Sequence, residues 1–407
     1  MVKMNRKRWL NFGIVFLTIM LIVSLEELWF GFIENNVPSG VSVYKQEKAA
    51  PGPNLFCSRD EPRAVLLHPD GRILHQWYSL IGGKRDKGWH HVELLPEGDL
   101  FAIVKDKGLL KLDKMSQRIW QSPGMFHHDL DTNDAGEILI LERELTDITW
   151  KGDTFPILGE FIVFLAQNGT RLRRISLNET LLPLVPDSHL EAARKFAQNN
   201  PRKELTNDTY ADIFHVNSIE ILRQDLLGIP AFSALLLSAR EINTIFIIDL
   251  ATGALLWSFG PGVLDHQHQP TLLSNGEILI FDNGQKRDWS RVIELTPDSG
   301  VIHSSIERVN GKRIYSFVRG GAQRLKNGNT LIVSGERAVA LEVTPEHELV
   351  WFYKNPEYRV VRKRKAPFID RKGLIYRMEK IEDPSLLLFL DDLRETTPSS
   401  PNENSVS

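Results

Sequence analysis

A hairpin pattern that recurs along the chain restricts the possible folds more than any other feature of this sequence. It is clearest from His266 to Gly284, where an apolar stretch precedes the turn Ser274-Asn275-Gly276 and the β-rich run EILIFDN follows it. Asn-Gly favours a hairpin because both turn residues tolerate positive φ, and β-branched and aromatic residues suit the pleated strand that follows. The stretch therefore predicts one hairpin, with histidines near the start of its first strand.

Related segments occur in five other parts of the chain, which gives six units of roughly 40 to 50 residues. The units begin near Leu55, His90, His128, His215, His268 and Gly320. Four of them end in a tryptophan: Trp77, Trp120, Trp257 and Trp351. Short strands and turn signals at this period predict an all-β fold, a β-propeller of six blades.

The register of the units gives an internal check on this prediction. Counting back eight positions from the turn glycines reaches, in order, His90, His128, His268 and Gly320. These units align without gaps over their first hairpin, and three of the four equivalent positions are histidine. Equivalent positions in a propeller face the central channel, so we expect the histidines to meet there. His215 opens the remaining unit, whose hairpin is lengthened by an insertion.

Composition excludes several classes of function. A formal net charge of -3 over 407 residues argues against a nucleic-acid partner, which requires a basic excess. The single cysteine, Cys57, excludes an intrachain disulfide and a zinc site built on several thiolates. No cofactor is expected.

Residues 1–33 predict a cytoplasmic basic N-terminus and a signal-anchor helix. Four basic residues precede the apolar run Trp9–Leu25, which is near the lower limit of about 20 residues for a spanning helix. The basic flank places the N-terminus in the cytoplasm. No clear cleavage site follows, which favours an anchor over a removed signal peptide. We therefore expect a single-pass membrane protein whose body is exported, to a periplasmic, extracellular or lumenal compartment.

The rest of the chain divides into three predicted parts: a stalk and lead-in strand over 34–54, a catalytic propeller over 55–380, and a tail over 381–407. The tail is polar and rich in proline and serine from about residue 396, which predicts disorder there. Residues 188–206 have helical composition, with Ser188 as the expected N-cap, and are interpreted as a helical insertion near the channel. The basic run 359–365 is interpreted as a solvated face.

Polar residues that suit an anionic ligand are concentrated where the units are expected to open into the channel. They are His127-His128-Asp129, Asp212–Asn217, Arg240 and His266-Gln267-His268. Arginine matches phosphate, sulfate or carboxylate oxygens with its planar fork, and histidine can serve as donor, general base or nucleophile. Two other interpretations remain open: a transition-metal site, although no carboxylate or thiolate spacing demands one, and histidines that only satisfy hydrogen bonds at blade edges.

With these residues in place, the sequence resembles the bacterial arylsulfotransferases. The resemblance extends from Gly40 to about Tyr376, and its most specific segments are HHDLDTNDAGEILIL, DIFHVNSIEIL, LLLSAREINTIFIID and HQHQPTLLSNGEILIFDNG. It implies a six-bladed propeller that transfers a sulfuryl group from an aryl sulfate to a phenol. In that family a histidine takes up the group and no nucleotide sulfate carrier is used.

The resemblance also implies roles for individual residues. His268 matches the nucleophile, His128 and His215 match the two other site histidines, and Arg240 and Asn217 match the guanidinium and amide that support them. The catalytic candidates are thus His268, His128, His215 and Arg240. The substrate-binding candidates are Asn217, His127, His266 and His90, and no metal ligand is expected.

Two alternative functions remain. The first is a non-catalytic propeller that binds a small anionic ligand or a protein partner at the channel mouth. The second is a quinoprotein dehydrogenase, whose blades mostly repeat a run of the type DLATGALLW. Only one such run is clear in this chain, which disfavours the quinoprotein.

Overall fold

The computed structural model describes residues 38–58, 60–81, 88–206, 209–362 and 369–396. The predicted anchor, residues 1–33, lies outside this part of the chain, as do residues 363–365 of the basic run and the tail beyond residue 396. Among the described helices, none combines the length and the apolar character needed to cross a bilayer.

The described residues are predominantly strands. In chain order these are β1 (Gly40–Tyr44), β2 (Asn54–Ser58), β3 (Arg63–Leu67), β4 (Ile73–Tyr78), β5 (Trp89–Leu94), β6 (Leu100–Val104), β7 (Gly108–Leu112), β8 (Arg118–Pro123), β9 (Phe126–Thr132), β10 (Ile138–Trp150), β11 (Asp153–Leu165), β12 (Arg171–Ser176), β13 (Val216–Ile221), β14 (Ala234–Ala239), β15 (Thr244–Asp249), β16 (Leu255–Phe259), β17 (His268–Leu272), β18 (Ile278–Asp282), β19 (Arg291–Thr296), β20 (Val301–Ile306), β21 (Arg308–Val309), β22 (Lys312–Arg313), β23 (Gly321–Arg324), β24 (Thr330–Ser334), β25 (Val339–Val343), β26 (Leu349–Lys354), β27 (Arg359–Arg362), β28 (Ile369–Lys372) and β29 (Ile375–Lys380). The α-helices are α1 (Asn178–Leu181), α2 (Asp187–Asn199) and α3 (Phe389–Thr396). Short 3₁₀ turns occupy Pro96–Gly98, Leu182–Leu184, Arg202–Glu204, Gly335–Arg337 and Pro384–Leu387.

Six antiparallel sheets form the blades of a propeller, which confirms the predicted all-β, six-bladed fold. The strand orders are β29-β2-β3-β4 in blade 1, β5 to β8 in blade 2, β9 to β12 in blade 3, β13 to β16 in blade 4, β17 to β20 in blade 5, and β23 to β26 followed by β1 in blade 6. The first strand in each order is the inner one, and the inner strands of neighbouring blades contact one another. Apolar clusters between adjacent sheets form the core.

The two ends of the described chain close the ring. The inner strand of blade 1 is β29, whereas its other three strands come from the beginning of the propeller. At the outer edge of blade 6, β1 pairs with β26. The first sequence unit, from Leu55 to Trp77, therefore supplies only three strands of its blade, and the fourth lies at the opposite end of the propeller sequence, where no local repeat signal marks it.

The tryptophans that end four of the units connect neighbouring blades. Each indole N–H donates to a backbone carbonyl of the next blade: Trp77 to Gly98 at 2.9 Å, Trp120 to Gln167 at 3.0 Å, Trp257 to Pro297 at 3.1 Å and Trp351 to Pro69 at 2.7 Å. Such a bond contributes about 1 kcal/mol net. The recurring tryptophan is thus explained by contacts between blades.

The predicted helical insertion contains α2, which buries Leu190 and Ala193 against the core between blades 3 and 4. Its predicted cap is wrong. The helix begins at Asp187 after Pro186, and Ser188 lies inside its first turn. Pro186 already has the extended backbone of an N-cap, and the carboxylate of Asp187 suits the positive end of the helix dipole.

Part of the predicted tail is packed against blades 1 and 2. Phe389 in α3 is 1% exposed and its ring lies 5.8 Å from that of Trp77. Gly98 lies so close to the ring of Phe389 that a Cβ at this position would be 2.5 Å from that ring. Only glycine therefore fits here. This helix therefore covers one side of the first interblade core.

Candidate active site

Irregularities at the start of the inner strands turn side chains into the channel. The pairing register shifts between Val216 and Ser218 in β13 and between His268 and Thr271 in β17. His128 and His215 have left-handed backbones, with φ of 57° and 51°. Bulges and strained non-glycine residues of this kind redirect side chains and are concentrated at functional sites.

The channel opens at this end into a cavity of about 780 Å³. Six of the eight predicted site residues line it together: His90, His128, His215, Arg240, His266 and His268. Its other walls include Lys105, Asp212, Glu241, Arg319, Tyr376 and, from α2, His189. The predicted convergence of histidines from different units is therefore present in the structure.

Two predicted site residues lie outside this lining. His127 is 0% exposed and sits behind His128, with its Nδ1 2.7 Å from Nδ1 of His128. Asn217 lies in the bulge of β13, and its side-chain amide donates to the backbone oxygen of Gln267 at 2.9 Å. Direct substrate contact by these two side chains, as the sequence suggested, does not match their positions.

The hydrogen bonds of His268 define its tautomer. Its Nδ1 lies 2.7 Å from Oδ1 of Asn283 and 3.1 Å from the backbone oxygen of His266. The amide nitrogen of Asn283 donates to the backbone oxygens of Ser316 and Arg319, at 2.8 and 2.7 Å, so its oxygen must face the imidazole. Both partners of Nδ1 are therefore acceptors. Nδ1 carries the proton, and Nε2 keeps its lone pair.

The surroundings of His268 also keep it uncharged. Burial holds its pKa well below the ordinary value, and the neighbouring Arg240 guanidinium acts in the same direction. The Arg240 side chain is oriented by Glu241, to which its Nε and Nη2 donate at 2.9 and 2.5 Å. A neutral imidazole beside a fixed guanidinium can attack an anionic group whose oxygens the guanidinium binds.

The other two central histidines have different neighbours. His215 Nδ1 lies 2.5 Å from Oδ2 of Asp212, which directs its Nε2 away from that carboxylate. The ring of His128 packs edge-on against that of His215, with 4.8 Å between centroids. Nδ1 of His128 lies 2.7 Å from Nδ1 of His127. Burial and the nearby His215 lower the pKa of His128 well below its ordinary value.

Tyr376 is a cavity residue that the sequence reasoning missed. It sits opposite the irregularity between Cys57 and Ser58 in blade 1, at the channel end of β29. Its ring stacks on His90, with centroids 4.4 Å apart and an interplanar angle of 12°. No repeat signal marked it, because β29 stands apart from the rest of its blade in sequence.

Gly320 occupies the position at which three other units have a histidine, and the structure explains why it is a glycine. Its φ is 102°, and a Cβ there would lie 2.6 Å from the ring of Phe281 and 2.8 Å from the backbone oxygen of Val333.

The sequence reasoning also missed two residues that contact the site histidines, Asn283 and Glu160. Glu160 had one usable signal, since it is the one carboxylate in the apolar stretch Phe155–Leu165 of β11.

Over the described residues, no group of three or more His, Cys, Asp or Glu side chains is arranged to hold a metal ion. The fold and the cavity together define a class of protein. It is a propeller with a site in its channel that is lined by imidazoles from the inner strands of several blades.

Comparison with known families identifies this class more closely. A family model described as arylsulfotransferase (ASST) matches residues 91–356, well over half of the chain. The chain belongs to the arylsulfotransferase family and is an arylsulfotransferase-like enzyme, as the sequence resemblance predicted. No curated protein matches it significantly.

Solved structures support the fold alone. A protein of unknown function from Bacteroides caccae has a TM-score of 0.51 at 14% identity, covering 81% of this chain and 98% of its own. A streptogramin B lyase has a TM-score of 0.45 at 13% identity, covering 79% and 84%. Virginiamycin B lyase from Staphylococcus aureus has a TM-score of 0.43 at 10% identity, covering 76% and 86%. The two lyases are too distant for any inference about this chain.

Proposed function

We propose that this enzyme transfers a sulfuryl group from an aryl sulfate to a phenol through a covalent adduct on His268, with no nucleotide sulfate donor. The observation that carries the proposal is the hydrogen bonding of His268. The amide of Asn283 keeps the proton on Nδ1, which leaves Nε2 as a lone pair in a cavity lined by donors.

In the first half-reaction, Nε2 of His268 attacks the sulfur atom and the bond from sulfur to the aryl oxygen breaks. The phenolate leaves, and the imidazole becomes an N-sulfonated cation whose Nδ1–H still donates to Asn283. Arg240 stabilises the sulfuryl oxygens, on which negative charge remains throughout. Preorganised donors of this kind contribute to the rate because they need no rearrangement during the reaction.

In the second half-reaction, a phenol occupies the position of the departed phenolate. His128 or His215 removes its proton, the phenol oxygen attacks sulfur, and the bond from sulfur to Nε2 of His268 breaks. The nucleophile is thereby returned to its neutral form. Both candidate bases line the same cavity as His268, so one site can serve both halves of the cycle.

The dimensions and aromatic lining of the cavity suit an aryl substrate. A volume of about 780 Å³ falls within the range typical of small-molecule sites. Tyr376 and Phe317 in its wall offer faces or edges for an aryl ring. An aryl sulfate is already an activated donor because a phenolate is a good leaving group, so the proposed chemistry needs no nucleotide.

Steady-state kinetics of the full-length chain with p-nitrophenyl sulfate and phenol test this proposal. We expect nitrophenolate release and phenyl sulfate formation without added nucleotide, with parallel double-reciprocal plots that indicate a two-step transfer. Intersecting plots would argue for direct transfer between the two substrates. Stoichiometric binding of the donor without any product would favour a propeller that only binds anions.

The expected membrane location is also a proposal, supported by the basic residues and apolar run before residue 33. If the anchor is correct, the full-length chain stays with membranes after alkaline carbonate extraction. Quantitative release into the soluble fraction would refute it.

A further inference from the structure

A buried chain of polar side chains extends from the cavity wall into blade 3. Nδ1 of His128 lies 2.7 Å from Nδ1 of His127, and Nε2 of His127 lies 3.0 Å from Oε2 of Glu160. His127 is 0% exposed and Glu160 is 1% exposed. The chain therefore begins at a residue that lines the cavity and ends at a carboxyl group that no substrate can reach.

The position of protons along this chain is restricted. Two ring nitrogens face each other between His127 and His128, so one must donate and the other accept. At the far end, Oε1 of Glu160 accepts from the backbone N–H of Val216 at 3.1 Å, which leaves Oε2 to face His127. A change of tautomer in either imidazole must therefore be accompanied by a change in the other.

Two arrangements satisfy these contacts. When Glu160 is protonated, it donates to His127, which donates from Nδ1 to His128, and Nε2 of His128 then presents N–H to the cavity. When Glu160 is ionised, His127 donates to it from Nε2, His128 donates from Nδ1, and Nε2 of His128 presents a lone pair. Both imidazoles are neutral in both arrangements.

The charges around the chain support neutral imidazoles and a carboxyl group that can hold a proton. Burial raises the pKa of Glu160 well above its ordinary value; Asp212 and Asp106 act in the same direction, and Arg143 opposes them. Burial, assisted by Arg143, lowers the pKa of His127 to about 3. Around neutral pH a proton is therefore held more readily by the carboxyl group than by the imidazole beside it.

We propose that His127 and Glu160 are positioning residues that form a buried proton relay behind His128, storing the proton that the reaction needs. The proposal rests on the proposed sulfuryl transfer. It assigns to Glu160, which touches no substrate, the role of setting whether His128 acts as an acid or as a base.

The steps balance over a cycle. In the first half, Nε2–H of His128 protonates the leaving phenolate, His127 passes its Nδ1 proton to His128, and Glu160 passes its proton to His127. In the second half, the acceptor phenol gives its proton to Nε2 of His128 and the same transfers run in reverse. Glu160 ends protonated, so a complete cycle exchanges no net proton with solvent.

The contact between His127 and Glu160 is close but not ideally oriented. Nε2 and Oε2 are 3.0 Å apart, yet neither has a hydrogen bond of good geometry within the described structure. A small rotation of the carboxyl group completes the contact. Catalytic hydrogen bonds are often loose before substrate binds and tighten in the complex.

The first test is the selectivity of Glu160→Gln in the full-length chain between two donors, p-nitrophenyl sulfate and phenyl sulfate. Nitrophenolate leaves without a proton, whereas the more basic phenolate needs one. We expect the ratio of the two rates to rise about 100-fold over wild type, a typical contribution of general acid–base catalysis. His127→Phe should shift the ratio in the same direction, because it keeps a ring but breaks the relay.

Glu142→Gln is the matched control. Glu142 is also a buried carboxylate of blade 3, but it pairs with Arg171 rather than with an imidazole, so its loss should leave the ratio unchanged. An equal loss of rate with both donors in Glu160→Gln would reduce Glu160 to a structural role and overturn the relay.

The second test does not depend on activity or on a folded variant. In wild-type protein labelled with ¹⁵N-histidine, we expect His127 and His128 to exchange tautomers as pH passes through the pKa of Glu160, with neither ring becoming imidazolium. Fixed tautomers over that range would overturn the relay even if sulfuryl transfer occurs. Tautomer exchange in a protein without transferase activity would instead overturn the proposed function and leave the relay standing.

Discussion

The two sides of the cavity hold their central histidines in different ways. On the blade 5 side, Nδ1 of His268 donates to the amide oxygen of Asn283, whose orientation is fixed by two backbone carbonyls. On the blade 3 side, Nδ1 of His128 faces the imidazole of His127, which can donate or accept. One histidine has a fixed tautomer and the other a variable one.

This difference indicates how one residue type can serve two roles in a single cavity. A nucleophile must present its lone pair at all times, and a neutral amide ensures this because it cannot titrate near neutral pH. A group that gives and then takes a proton must change state, which requires a titratable partner such as Glu160. In the proposed mechanism, the chemistry of each histidine is therefore set by the residue behind it.

The largest expected effect comes from removing the fixed histidine. His268→Ala should lower turnover of p-nitrophenyl sulfate by roughly 10⁴-fold or more, because a covalent nucleophile has no substitute in the site. Stopped-flow release of nitrophenolate measures it. His303→Ala, at an exposed position in blade 5, is the control and should behave as wild type. Retention of most activity in His268→Ala would remove the distinction between the two histidines.

A smaller effect is expected at the guanidinium beside the nucleophile. Arg240→Lys keeps the charge but loses the planar fork and its two contacts to Glu241. We expect kcat/KM to fall about 100-fold, within the range for losing one preorganised donor. We measure kcat/KM of the variant with each of two donors, p-nitrophenyl sulfate and phenyl sulfate. The fold loss should be the same for both donors, unlike in Glu160→Gln. A loss confined to phenyl sulfate would place Arg240 in the proton transfer instead.

The smallest effect, and the sharpest in pH, is expected from Asn283→Asp. The wild-type pKa of His268 is well below its ordinary value, so nitrophenolate release should show no acid limb near pH 6.5, the usual range of histidine. A carboxylate beside Nδ1 raises that pKa, which converts His268 to imidazolium and removes activity as pH falls through the new value. We expect about a tenfold loss near pH 6 and less at pH 8.

Asn275→Asp, in an exposed turn of the same blade, is the control for this change and should keep the wild-type profile. A pH-independent loss in Asn283→Asp would mean that the amide supports the fold rather than the charge state of His268. Its two bonds to backbone carbonyls also predict lower stability for the variant, by about 1 to 3 kcal/mol.

The sequence predicted the fold well because the repeat provides two kinds of information. Each unit carries its own turn and strand signals, and the common register places the same position of each unit at the channel. This is why His90, His128 and His268, although far apart in sequence, were expected together and line one cavity. The sequence reasoning missed Tyr376 because the closing strand β29 carries only a quarter of a blade, and Pro384 rather than a turn glycine lies eight positions beyond Tyr376.

The parts of the site that the sequence did not reveal are those set by side-chain contacts between separate segments of the same blade. Periodicity cannot show that His127 packs behind His128, because the left-handed backbone of His128 interrupts the regular alternation of the strand. Nor can it pair Glu160 with His127, because the two are on different strands and meet only after the sheet has formed. The distinction between a fixed and a variable histidine depends on these partners.

The intact mass of the full-length chain after mixing with p-nitrophenyl sulfate, in the absence of any phenol acceptor, tests the central claim most directly. We expect a gain of one sulfuryl group per chain, equal in amount to the nitrophenolate released and located on the peptide that contains His268. The gain should disappear in His268→Ala and on addition of phenol to the loaded enzyme. Nitrophenolate release without any gain in mass, or a gain that persists in His268→Ala, would contradict the assignment of His268 as the nucleophile.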